Sequence, residues 1–138
     1  MERKTLNELL KWKEKKNRKP LLLTGVRQCG KTYIIKEFGK KEFEDTAYFN
    51  FDGNTGLQSV FDFDFDVGRI VDELANVVYG DKIVPGRTLV VFDEIQDCPS
   101  AVGALKYFCD EAPEYHVACA GSLLGVRLSR ETSAFPVG

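Results

Sequence analysis

The chain has 138 residues, room for one compact domain but not comfortably for two. Hydrophobic residues make up 43% and charged residues 29%, the balance of a folded chain rather than of a disordered or membrane-embedded one. No apolar run approaches the ~18 residues of a membrane span and none follows the basic N-terminus, which disfavours secreted and membrane classes. The expectation is a cytoplasmic protein without a membrane partner. Its four cysteines (Cys29, Cys98, Cys109, Cys119) show no C-x-x-C spacing and there is one histidine, His116, so they read as free thiols in a reducing compartment.

The formal net charge of −2 is unevenly spread. Residues 1–19 carry eight Lys/Arg against three Glu, while the remaining 119 carry eleven against eighteen acids. Two readings of this basic segment stand side by side. One is a helix with lysines on its solvated face; the other is a contact for an acidic partner such as nucleic acid, with Trp12 as a single stacking group.

In chain order, Thr5 and Glu8 have capping-box spacing ahead of the apolar face Leu6, Leu9 and Leu10, which gives a helix within residues 1–19. Leu21-Leu22-Leu23-Thr24 follows Pro20, is bounded by Gly25 and is too short for a helix, so it reads as a strand buried on both faces. A helix is expected after Gly30 through Phe38, closed by Gly39 in a left-handed cap. The second strand is expected at Ala47–Phe51, followed by an irregular stretch to Phe65. Within it, the alternation Phe61-Asp62-Phe63-Asp64-Phe65-Asp66 reads as a loop or an edge strand. The spacing Val67, Ile70, Val71, Leu74, Val77, Val78 is helical and ends at Gly80. Pro85-Gly86 makes a turn before the strand Leu89–Phe92, Ser100 caps a helix to Asp110, and a last strand spans His116–Ala120. Alternating strands and helices imply an α/β fold with a mainly parallel sheet, here of about four strands.

Gly25-Val26-Arg27-Gln28-Cys29-Gly30-Lys31-Thr32 matches G-x-x-x-x-G-K-[ST]. Glycines let the backbone wrap closely enough for successive N–H groups to point at a phosphate, and the following helix adds its positive end. Lys31 is then placed to reach the β- and γ-phosphates, and the Thr32 hydroxyl to ligate Mg²⁺. Gly, Lys and Ser plus Thr each number 12, so composition alone would give this pattern somewhere in the chain in about 0.7% of cases. Leu89-Val90-Val91-Phe92-Asp93-Glu94 supplies the acidic half: Asp93 for Mg²⁺, and Glu94 as a general base for an attacking water. Ser122, after the last strand, either orients that water or contacts the γ-phosphate, or is simply part of a Gly-Ser turn capping the next helix. Gln96 either senses the nucleotide or is an ordinary loop residue. Cys29 either fills space or makes the loop oxidation-sensitive. No [NT]-K-x-D stretch for guanine recognition occurs.

Leu21–Thr32, Val90–Gln96 and Ala120–Gly125 (Ala-Gly-Ser-Leu-Leu-Gly) together resemble the P-loop, Walker B and sensor-1 segments of AAA+ ATPases. More narrowly, they resemble bacterial and archaeal members in which G-x-R-Q-x-G-K-T and D-E-I-Q recur. The resemblance implies a P-loop NTPase three-layer α/β/α fold with sheet order 5-1-4-3-2. It implies ATP and Mg²⁺ at Gly25, Val26, Arg27, Gln28, Cys29, Gly30, Lys31, Thr32, Tyr33 and Asp93, catalysis at Glu94 and Lys31, and sensing at Ser122. Residues 20–138 then form the ATPase core, behind the basic helix of residues 1–19. Only four strands are countable against the family's five, and the helical lid is missing as well. The expectation is therefore a C-terminally truncated core that hydrolyses ATP, or a nucleotide-binding fragment without turnover. Arg127 and Arg130 read either as an arginine finger toward a second, self-associated copy or as surface residues.

Overall fold

A computed structural model describes residues 3–14, 20–23, 31–121 and 135–137. The chain opens with α1 (Arg3–Glu14), β1 (Leu21–Leu23), α2 (Lys31–Glu42) and β2 (Asp45–Asn50). It continues through α3 (Thr55–Val60), α4 (Val67–Glu73) and a π-helical turn (Leu74–Tyr79) to β3 (Thr88–Asp93). A 3-10 turn (Ile95–Asp97), α5 (Pro99–Glu111), β4 (His116–Ala120) and β5 (Phe135–Val137) complete it. The strands form one sheet in the order β2-β3-β4-β1-β5, with every pairing parallel. Parallel neighbours cannot be joined by tight hairpins, so helices carry the crossovers and cover the sheet.

The fifth strand corrects the four-strand expectation and the absence inferred from it. β5 is Phe135-Pro136-Val137, three residues with a proline at the centre, and it lies at the sheet edge beside β1. Proline cannot donate to a ladder and argues against a strand in a sequence, yet an edge position tolerates it.

Strand alternation separates two apolar layers, as an α/β/α sandwich requires. Leu89 and Val91 of β3 and Ala118 and Ala120 of β4 pack toward Ile35 and Phe38 of α2 and Leu9 and Trp12 of α1. Val90 and Phe92, with Val117 and Cys119, face the opposite layer of Phe49, Phe51, Phe61, Ile70, Leu74 and Phe108. Phe92 sits at the centre of that layer, its ring against Phe49, Phe51, Phe61 and Phe108.

Several local expectations change. α1 begins at Arg3, two residues before Thr5, and α5 begins at Pro99, so neither Thr5 nor Ser100 is the capping residue. Gly39 lies inside α2 rather than in a left-handed cap. A Cβ there would stand 2.2 Å from Thr46 Oγ1, so glycine permits close approach of helix to sheet. Trp12 is 2% exposed and packs edge-on against His116 at 5.5 Å, which makes it a core residue rather than a stacking group for bases. His116 Nε2 lies 3.1 Å from the Lys13 carbonyl oxygen, so α1 is joined to the start of β4. The Phe61–Asp66 stretch forms no strand: Phe61 is core, Phe65 stacks on Tyr107, and Asp66 caps α4. Asp64 Oδ1 accepts from Arg69 Nε at 2.7 Å. No helix among the described residues is long and apolar enough to cross a membrane.

Candidate active site

Ligands of open parallel sheets bind beyond the carboxyl ends of the strands. Here those ends are aligned: Leu23 pairs with Ala120 and with Val137, Ala120 with Asp93, and Asp93 with Asn50. Asp93 thus lies two strand spacings from Leu23, about 10 Å, with the end of β4 between them. In the chain, the G-x-x-x-x-G-K-T segment joins β1 to α2, the strand–loop–helix order that a phosphate-binding loop needs. Lys31 and Thr32 are the first two residues of α2, and Tyr33, in the same turn, is 63% exposed. Gly25, Val26, Arg27, Gln28, Cys29 and Gly30 lie outside the described residues, as do Ser122, Arg127 and Arg130.

Asp93 ends β3 and is 6% exposed. The alternation that sends Leu89 and Val91 toward α2 puts Asp93 on the same face. Its carboxylate is held from two sides: Oδ2 accepts from the Tyr48 hydroxyl, and Oδ1 accepts from the Glu94 N–H at 2.9 Å. A carboxylate has about four lone-pair sites, and bonds to two different oxygens from two directions orient it. Tyr48 belongs to β2 and pairs in register with Val91, so Asp93 is its diagonal neighbour on the same face, within reach of a tyrosine. Above the Tyr48 ring, Lys36 Nζ of α2 stands 4.1 Å from the centroid. Lys36, Tyr48 and Asp93 therefore link the helix that begins with Lys31-Thr32 to the acidic strand end. Asn50, opposite Asp93, accepts the Asp52 N–H at 2.9 Å and so turns the chain away from the edge.

Glu94 has φ +53 and ψ +44, the left-handed region, and no other non-glycine residue with a positive φ occurs among the described residues. A side chain in that conformation costs about 1–2 kcal/mol. The bend turns the chain from β3 into the 3-10 turn containing Gln96, with the Asp97 N–H donating to the Glu94 carbonyl at 3.1 Å. Ile95 is buried immediately after, so the bend is held from behind by the core. Strain of this sort clusters where chemistry dictates the backbone.

Mg²⁺ takes oxygen ligands and is commonly bound by one or two carboxylates plus substrate phosphates rather than by an all-protein cage. The described residues fit that pattern. Asp93 is a buried, oriented carboxylate at the ligand edge. Tyr48, Lys36 and Asn50 escape sequence reasoning because nothing in the order of residues states the β2–β3 register.

Comparison with known proteins agrees with this architecture. A family model described as an AAA domain matches residues 17–138. A Walker-type ATPase of Pyrococcus abyssi superposes with a TM-score of 0.56 at 18% identity, covering 94% of this chain and 47% of the ATPase. PCH-2 of C. elegans gives a TM-score of 0.56 at 16% identity, covering 99% of this chain and 43% of that protein. At these identities the likeness is one of fold, and the chain spans less than half the length of either neighbour. No curated protein matches.

Proposed function

Because the chain belongs to the AAA domain family, we propose that it binds Mg·ATP at the carboxyl edge of its sheet and hydrolyses it to ADP and phosphate. The backbone N–H groups of Gly25, Val26, Arg27, Gln28, Cys29 and Gly30 cradle the phosphates at the start of α2, and Tyr33 completes the nucleotide-binding segment. Lys31 neutralises charge on the β- and γ-phosphates. Thr32 and Asp93 hold Mg²⁺, which when bound withdraws charge from the phosphate oxygens. Glu94 accepts a proton from the water that attacks the γ-phosphorus in line, as the bond to the β–γ bridging oxygen breaks and ADP departs. Ser122, two residues after β4 in the chain, orients that water or contacts the γ-phosphate. Self-association and a cytoplasmic location complete the proposal, with Arg127 and Arg130 either reaching a neighbouring copy's nucleotide or serving as surface residues.

The supporting observation is the shared edge: β4 alone separates the strand that leads into G-x-x-x-x-G-K-T from the strand that ends in Asp93-Glu94. The presence of β5 on the far side of β1 also removes one of the two reasons for expecting a fragment without turnover. The burial of Trp12 removes the aromatic support for a nucleic-acid partner.

Calorimetric titration of Mg·ATP, followed by a phosphate-release assay on the same sample, tests the proposal. Lys31→Ala is expected to abolish binding while remaining folded. Glu94→Gln is expected to bind normally and lose turnover by about 10²–10⁴-fold, the usual contribution of a general base. Retained binding in folded Lys31→Ala would refute the phosphate-loop assignment, and unchanged turnover in Glu94→Gln would refute the base.

A further inference from the structure

We infer that Tyr48 is a positioning residue for the divalent cation: its hydroxyl fixes the Asp93 carboxylate in the orientation that receives Mg²⁺, an inference resting on the Mg·ATP proposal above. Three observations on different elements converge on it. Asp93 Oδ2 accepts from the Tyr48 hydroxyl while Oδ1 is taken by the Glu94 N–H, so both rotation and tilt of the carboxylate are set by the protein. The Tyr48–Val91 register makes Asp93 the diagonal neighbour on the α2 face, so the reach is built into the sheet. The Lys36 ammonium, 4.1 Å from the Tyr48 ring centroid, pins that ring by a cation–π contact. A cation over the ring also draws electron density from the phenol and strengthens its O–H as a donor.

Groups that hydrogen-bond a metal-binding carboxylate govern affinity without touching the metal, and removing one typically costs 10–100-fold. The tyrosine hydroxyl suits this role because it donates to the carboxylate and carries no competing charge. Together with the Lys36 contact, this bond links α2, which starts with Lys31-Thr32, through β2 to β3, which ends with Asp93.

Tyr48→Phe removes the hydroxyl and keeps the ring under Lys36. The variant is expected to fold as wild type, to bind ATP as wild type in the absence of divalent cation, and to need about 10-fold or more Mg²⁺ for half-maximal tightening of ATP binding. Mn²⁺ titration followed by electron paramagnetic resonance, with ATP present, is expected to show the same weakening without relying on turnover. In an Asp93→Asn background, Tyr48→Phe is expected to add nothing, because the group it orients is already gone. An unchanged Mg²⁺ requirement in Tyr48→Phe, or a further loss in the Asp93→Asn background, overturns the Tyr48 role while leaving the Mg·ATP proposal standing. Failure of the wild-type chain to show any Mg²⁺-dependent ATP binding overturns both.

Discussion

Gly39 offers a quantitative check on how α2 lies on the sheet. It is buried in the interior of the helix, where replacing glycine by alanine ordinarily stabilises by about 1 kcal/mol through backbone entropy. Here the added methyl would meet Thr46 Oγ1 at 2.2 Å, Leu89 Cδ2 at 3.1 Å and Thr46 Cγ2 at 3.2 Å. Thr46 is β-branched and sits on β2, with little χ1 freedom, and Leu89 is fully buried, so neither gives way easily. Overpacking of this kind costs about 1–3 kcal/mol. The overlap outweighs the helix gain, and Gly39→Ala is expected to destabilise by about 1 kcal/mol, a fall in Tm of roughly 3–4 °C for a chain of this size. Thr46→Ala removes both threonine atoms from the overlap. In that background, Gly39→Ala is expected to be neutral or stabilising, giving a coupling of about 1–2 kcal/mol in a double-mutant cycle. Urea unfolding with unchanged m-values measures it. A stabilising Gly39→Ala in the wild-type background would refute the close approach. An equal cost in both backgrounds would mean that Thr46 is not what the added methyl meets. The result bears on function, since displacing α2 from the sheet also moves Lys36 away from Tyr48.

Two further outcomes follow from local geometry. Glu94 is left-handed at φ +53, so Glu94→Gly is expected to be more stable than Glu94→Ala by about 1 kcal/mol, the reverse of the usual order. Comparing the two truncations cancels the loss of side-chain contacts, and a more stable alanine variant in thermal unfolding would refute the strained bend. Arg69 beside Asp64, first through its hydrogen bond, together with the Asp66 N–H, holds the Asp64 carboxyl below its ordinary 3.8. A depressed folded-state pKa contributes stability above the unfolded value, and that stability disappears as pH falls through the folded one. The Tm gap between wild type and Asp64→Asn is therefore expected to be full at neutral pH, to narrow as pH drops below 3.8, and to shrink with added salt. A gap that widens on acidification would refute the assignment.

The residues 17–138 that match the family carry local signals strong enough to be read without coordinates. Leu21–Leu23, Leu89–Phe92 and Val117–Ala120 are short apolar runs, the composition that burial on both faces favours. The G-x-x-x-x-G-K-T segment and Asp93-Glu94 are contiguous in sequence, so their chemistry shows in the order of residues alone. Gly80 and the Val67–Val78 spacing likewise announced a helix and its end, although not the π-helical form of its last turn. The remaining features depend on partners far along the chain. Phe135-Pro136-Val137 is a strand only because β1 offers it an edge, more than a hundred residues upstream. Gly39 is required inside α2 because Thr46 and Leu89 leave no room for a side chain, whereas a glycine after an apolar stretch otherwise resembles a stop. Trp12 is drawn into the core by His116 and Phe38, and Tyr48 meets Asp93 only through the β2–β3 register. Sequence determines what a segment can form and which side chains carry chemistry, because backbone propensity and short motifs act over a few residues. Tertiary structure alone decides pairing, register and burial, since those free energies come from surfaces that meet only when the whole sheet has assembled.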